Sequence, residues 1–262
     1  MGAAVLAAAL SLVSVTAAGA GSLDRGGWVR RDVTVDGRIL ATAAPERQPA
    51  GEVLTVVIEG DGRAHDGRGR AMADPTPTRP LGLEIARAWP DGPRAWLARP
   101  CQFTRRADAA CQPRDWTAER FGPGMLAALE GAVDELKRRS GAREVRLVGW
   151  SGGGVMAAAL ARRRDDVAEL VTVAAPLDVA AWTAERGLTP LVLAPEVAAL
   201  AREPLPVPQR HLLGARDRIV PAASASVWAA RLGGPASVQV LDEDHAGDWR
   251  KRLSTRENLK RD

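Results

Sequence analysis

The sequence contains no tyrosine, two phenylalanines, two cysteines and three histidines, and of its 36 cationic side chains only Lys137, Lys251 and Lys260 are lysines. Each shortage closes off a class of function. Two cysteines cannot build a structural zinc site, and no HxxxH or CxxC pattern accompanies them. The arginines are scattered in short groups such as Arg30-Arg31, Arg105-Arg106 and Arg162-Arg163-Arg164. A nucleic-acid binder would gather them on one face or tail with aromatics between, so a formal charge of +4 does not mark one. A lysine-poor chain rich in arginine and alanine reads instead as the coding bias of a GC-rich genome. No apolar run beyond the N-terminus is long enough to cross a bilayer. No Gly-x-Gly-x-x-Gly or Gly-Lys-[Ser/Thr] loop is present to cradle a phosphate. What remains, 262 residues at 46% hydrophobic and 26% charged, is a globular chain long enough to bury a substantial core in one α/β domain.

Residues 1–20 are Ala, Leu and Val broken only by Gly, Ser and Thr after the initiator, and Ala18-Gly19-Ala20 supplies the small-x-small pattern accepted by signal peptidase. No Lys or Arg precedes this run, and no Cys follows it for lipid attachment. We read it as a signal peptide, which leaves no stable membrane span after removal and sends the mature chain to the periplasm or the medium. Cys101 and Cys111 stand in a polar stretch at a spacing that suits a loop-closing disulfide in an oxidising compartment.

Strand and helix signals alternate along a single domain over 27–262. Trp28 to Val35 and Ile39 to Ala43 read as two strands of a hairpin around Asp36-Gly37. Val53 to Glu59 is nearly all β-branched or apolar, the pattern of a strand buried on both faces of a parallel sheet. Further strands are expected at Arg94–Arg99, Glu144–Gly149, Leu170–Ala174, Arg210–Gly214 and Val238–Leu241. Helices are expected at Leu81–Trp89, Pro123–Arg139, Gly152–Arg163, Ala222–Leu232 and from about Gly247. The alternation implies a mostly parallel sheet with helices on both faces. The segment 176–208, rich in proline and containing Trp182, reads as a small cap.

Gly149-Trp150-Ser151-Gly152-Gly153 matches Gly-x-Ser-x-Gly between an expected strand and an expected helix. A nucleophilic serine needs that setting, because it must sit on a sharp turn at the carboxyl edge of the sheet. In the fold that sets a serine on such a strand-to-helix turn, its partners follow it as acid and then histidine. Only His211 and His245 come after Ser151; His211 falls inside a strand, whereas His245 lies in a polar loop after the last one and is the candidate base. Asp217, between a strand and a helix, is the candidate acid. Asp178 and Asp244 are the alternatives, and a helix N-cap is the competing role for Asp217. Two backbone donors for an oxyanion are expected from the Gly152 amide and from Gly60-Asp61-Gly62, with the Asp61 amide preferred. His65 with Asp61 and Asp66 could be read as a metal cluster, but no metal or cofactor is expected.

At these residues the chain resembles the α/β-hydrolase family. The likeness is to exported bacterial members with an EGDG strand end (Glu59–Gly62), ARPCQ (Ala98–Gln102), W-T-x-x-R-F (Trp116–Phe121), GWSGGG (Gly149–Gly154) and a late Asp-His pair (Asp244-His245). The resemblance spans roughly Val53 to Trp249. It implies an α/β-hydrolase fold, a Ser-His-Asp triad and the Cys101–Cys111 bridge, and little about the substrate. The triad chemistry itself reads as acyl transfer to water, the hydrolysis of a small-molecule ester, thioester or small amide without a cofactor. An acyltransferase with the same triad and a non-catalytic binding protein of the same fold are the alternatives. Glu59 departs from the many relatives with histidine before the oxyanion-hole glycine.

Overall fold

The computed structural model describes residues 23–254, Arg25 excepted, so the signal peptide expected at 1–20 lies outside the described residues. Strands β1 (Trp28–Arg30), β2 (Val33–Val35), β3 (Arg38–Leu40) and β4 (Thr42–Pro45) come first. The chain continues as β5 (Val53–Ile58), α1 (Leu81–Ala88), β6 (Arg94–Leu97), a 3-10 turn at Pro113–Trp116, α2 (Pro123–Ser140), β7 (Glu144–Trp150) and α3 (Gly152–Arg163). It then runs through β8 (Val167–Val173), α4 (Val179–Glu185), α5 (Pro195–Ala199), β9 (Gln209–Gly214), α6 (Ala222–Arg231), β10 (Ala236–Leu241) and α7 (Trp249–Leu253).

Eight strands form one sheet in the order β1-β4-β6-β5-β7-β8-β9-β10. From β6 to β10 every pairing is parallel; β4 alone runs against its neighbours. The expected N-terminal hairpin is present but split. Asp36 and Gly37 both have positive φ, 47° and 80°, as a two-residue turn matched to strand twist requires. Across that turn β2 pairs with β3 as a separate ribbon, while β1 and β4 leave it to extend the main sheet.

Apolar alternation sorts the central strands to two faces. Leu54, Val56 and Ile58 of β5 and Val145 and Leu147 of β7 join one core with Leu126, Leu129 and Val133 of α2, Val155 and Met156 of α3, and Trp228 of α6. Val57, Val148 and Val171 point the other way, into a core shared with Leu83 and Ile85 of α1 and Trp249 and Leu253 of α7. Each fully buried aliphatic side chain here contributes roughly 1.5–3 kcal/mol. Helix α2 starts on Pro123 and stops at Gly141, whose φ of 72° supplies the left-handed cap. The segment 176–208 is more regular than expected, because α4 and α5 span only seven and five residues, too few for an apolar period to show. Cys101 and Cys111 are joined in a disulfide with a Cα–Cα separation of 5.7 Å.

Candidate active site

Register brings the candidate residues to one edge of the sheet. Ile58 of β5 pairs with Gly149 of β7, Trp150 of β7 with Val173 of β8, and Gly214 of β9 with Leu241 of β10. The loops that follow β5, β7, β9 and β10 therefore leave the sheet on the same side, carrying Asp61, Ser151, Asp217 and His245.

Ser151 occupies the turn between β7 and α3 with φ 54° and ψ −126°, a region that costs a non-glycine residue roughly 1–3 kcal/mol. Its amide donates to the Val173 carbonyl at 2.8 Å, and its own carbonyl accepts from the Gly154 amide at 2.9 Å. The glycines around it are required by contact: a Cβ on Gly149 would stand 2.3 Å from the Gly153 carbonyl oxygen, and one on Gly153 2.4 Å from the Ile58 and Glu59 carbonyl oxygens.

Ser151 Oγ lies 3.0 Å from His245 Nε2, and His245 Nδ1 lies 2.7 Å from Asp217 Oδ2. The other oxygen of Asp217, a buried residue, accepts from the amides of Ile219 and Val220, both at 2.8 Å. These bonds fix the carboxylate in its own loop. It does not cap α6, whose N-cap is Pro221 without a side-chain bond. His245 is held through its carbonyl, which accepts from the indole N–H groups of Trp150 at 3.0 Å and Trp249 at 3.1 Å. The Trp150 ring also packs beside the imidazole, with centroids 5.3 Å apart.

The alternative acids stand elsewhere. Asp178 caps α4 by accepting from the Ala181 amide at 2.9 Å and pairs with Arg231 at 3.2 Å. Asp244 accepts from the Ala246 amide within its own turn. His211 is fully buried in β9, with Nδ1 2.8 Å from Thr172 Oγ1 and Nε2 3.2 Å from Gln209 Oε1. Burial pushes its pKa down to about 4. The grouping of His65, Asp61 and Asp66 does not form: Asp66 is taken up by Arg70 at 2.8 Å, and Asp61 turns to Arg99 and Arg120.

Behind the elbow, Glu59 is completely buried and accepts four N–H groups: the amides of Gly60 (3.1 Å), Gly82 (3.1 Å) and Leu83 (3.2 Å) and the indole of Trp96 (2.9 Å). Burial raises its carboxyl above the ordinary value, with the four donors pulling against it. Glu59 thus ties the end of β5 to the start of α1 and to β6. The amides of Asp61 and Gly152 have no backbone acceptor among the described residues, and Gly152 is the first residue of α3, where no intrahelical acceptor exists.

No family model matches the sequence, and no curated protein does. Solved structures match its fold. They include an α/β serine hydrolase homologue from Coxiella burnetii, with a TM-score of 0.60 and 14% identity, covering 86% of this chain and 95% of that one. A serine hydrolase without lid from Xanthomonas campestris matches with a TM-score of 0.58 and 13% identity over 92% of this chain and 97% of its own. A puromycin hydrolase matches with a TM-score of 0.59 and 17% identity over 88% of this chain and 37% of its own. The fold is that of the α/β hydrolases.

In this α/β-hydrolase framework a cleft of about 700 Å³ opens beside His245, lined by Ala215, Arg216, Arg218, Ile219, Asp244 and Ala246 around the buried Asp217. Trp182 of α4 donates its indole N–H to the Ile219 carbonyl at 2.8 Å, which ties the 176–208 segment to the rim of that cleft. Sequence reading missed Trp150 and Trp249 as supports of His245, and Arg99, Gln102 and Arg120 as supports of the Asp61 loop. Gln102 Nε2 donates to the Gly60 carbonyl at 2.9 Å. Burial lowers the Arg99 guanidinium below its ordinary value, and the neighbouring Asp61 opposes that shift.

Proposed function

We propose that this chain is a serine hydrolase of the α/β-hydrolase family, cleaving an ester, thioester or small amide through an acyl-enzyme on Ser151. The observation that carries this reading is the unbroken line from Asp217 through His245 to Ser151, with gaps of 2.7 and 3.0 Å, on a strained turn at the end of β7. In the proposed reaction, His245 Nε2 takes the Ser151 proton as Oγ attacks the carbonyl carbon. Asp217 accepts the Nδ1 proton bond, which fixes the tautomer and stabilises the imidazolium. The oxyanion is received by the Gly152 and Asp61 amides, whose orientation costs nothing at the moment of reaction because the backbone already holds it. His245 returns its proton to the leaving group, and a water activated by the same nitrogen then cleaves the acyl-enzyme. No step calls on a cofactor. The segment 176–208 borders the acyl site in this reading, and the disulfide fits work in an oxidising compartment, periplasmic or extracellular.

A fluorophosphonate probe tests the core of the proposal, since it reacts with a serine whose proton a neighbouring base removes. Wild-type protein should be labelled at Ser151 and should hydrolyse p-nitrophenyl butyrate; Ser151→Ala should do neither. Folded wild-type protein that is inert to both reagents would overturn the proposal.

A further inference from the structure

We propose that Arg99 and Arg120 are positioning residues for this reaction: they outweigh the charge that Asp61 carries to the oxyanion site and hold the loop whose amide donates there. The inference rests on the serine-hydrolase reading above. One contact at this site is unfavourable in isolation. Asp61 Oδ1 lies so near Gly152 that a Cβ built on the glycine would stand 2.0 Å from it. A carboxylate therefore sits beside one of the two amides meant to receive a developing negative charge, and alone it would repel that charge.

Two arginines answer it. Arg99 Nη1 is 3.0 Å from Asp61 Oδ1, and Arg120 Nε is 2.9 Å from Oδ2. Both arginines are buried, at 4% and 8% exposure, so water screens them little. Arg99 Nη2 also donates to the Arg120 carbonyl, and Arg120 Nη1 donates to the Thr117 carbonyl at 2.9 Å. Both guanidinium carbons lie 5.3 Å from the Phe121 ring centroid, a placement that favours cations. Asp115, which lines a small cavity together with Asp61, Arg99 and Arg120, is occupied by Arg38 at 2.8 Å. The cluster at the Asp61 loop thus holds two cations against one anion and presents a net positive charge. A buried ion pair is weak support for stability alone. Here it does two things that matter for the reaction: it removes a repulsion aimed at the oxyanion, and it clamps residues 60–62 together with Gln102.

The test is a charge-balance series on purified full-length protein, with folding checked by circular dichroism. Arg120→Gln should lower kcat for p-nitrophenyl butyrate by about 10- to 100-fold while KM stays within about twofold, because the lost interaction acts on charge formed in the transition state. Arg120→Lys, which keeps the charge, should stay within about fivefold of wild type, and Asp61→Asn/Arg120→Gln, which restores the net charge but gives up the clamp on residues 60–62, should run at least about fivefold faster than Arg120→Gln while staying below wild type. A merely structural role predicts the opposite for the double variant, since it loses more bonds than the single one. Arg120→Gln with wild-type kcat, or a double variant no better than Arg120→Gln, overturns the inference. If Arg120→Gln does not fold, a folded Arg120→Lys that falls beyond that fivefold limit overturns it equally. Labelling of wild-type Ser151 by the fluorophosphonate separates these failures from failure of the hydrolase reading, which would remove labelling altogether.

Discussion

Asp217→Asn removes one charge and almost no volume, and the surrounding bonds dictate how the asparagine must sit. In the native loop Oδ1 accepts from the Ile219 and Val220 amides at 2.8 Å, while Oδ2 faces His245 Nδ1 at 2.7 Å. An asparagine satisfies the two amides with its carbonyl oxygen, so its NH2 group is left pointing at Nδ1. A donor cannot face a donor, and the imidazole therefore moves its proton to Nε2. That nitrogen then points an N–H at Ser151 Oγ and cannot take the hydroxyl proton. The expected loss is about 10³- to 10⁴-fold in kcat, roughly 4–5.5 kcal/mol of barrier. Stability should change far less, by about 1–3 kcal/mol, because one charge-assisted hydrogen bond is replaced and the two amides stay satisfied. Steady-state hydrolysis of p-nitrophenyl butyrate, read beside thermal melts, separates the two effects. Asp178→Asn is the control: that carboxylate caps α4 and pairs with Arg231, so the variant should lose helix stability and keep kcat within about threefold. An Asp217→Asn enzyme retaining more than a tenth of wild-type kcat would refute the assignment of the acid, and so would an Asp178→Asn enzyme that fell as far.

Two further predictions concern stability. Opening the Cys101–Cys111 bridge, which closes a loop of ten residues, should cost roughly 3 kcal/mol by chain entropy, read as a lower denaturation midpoint for Cys101→Ser/Cys111→Ser; two free thiols in non-reduced peptides of the exported protein would show the bridge is not formed. His211 should make the protein acid-sensitive: burial holds its pKa at about 4 against an ordinary 6.5, so the unfolded chain takes up this proton first as the pH drops. Its contribution to stability is complete above pH 6.5 and is lost between there and pH 4, an amount of roughly 3 kcal/mol. His211→Gln should flatten that part of the pH dependence of urea unfolding, and an unchanged slope would contradict the buried neutral imidazole.

Which parts of this molecule could be read from its sequence follows from the range of the interactions involved. The strand from Val53, the elbow at Ser151 and helix α2 announce themselves because their causes are local: an apolar run, two glycines that a tight turn demands, a proline start and a glycine stop. The order of Asp217 and His245 after Ser151 narrowed the partners, and strand register brought them together. Boundaries moved where local signals were shared. The stretch from Trp28 to Ala43 has the pattern of one long hairpin, yet β1 and β4 gain more by joining the main sheet than by continuing the ribbon of β2 and β3. The buried arginines were the least legible, although Arg99 and Arg120 both stand in segments that the sequence singled out. Among 33 arginines, nothing local distinguishes one that pairs across the fold from one that faces water. The distinction arises only when the ends of β5 and β6 and the loop before α2 converge, putting Asp61 and Arg99 together across 38 residues. A charge placed beside an oxyanion site can be recognised as tolerable only once its counter-charges are located in space, and for that reason the Arg99–Asp61–Arg120 cluster is a finding of the structure rather than of the sequence.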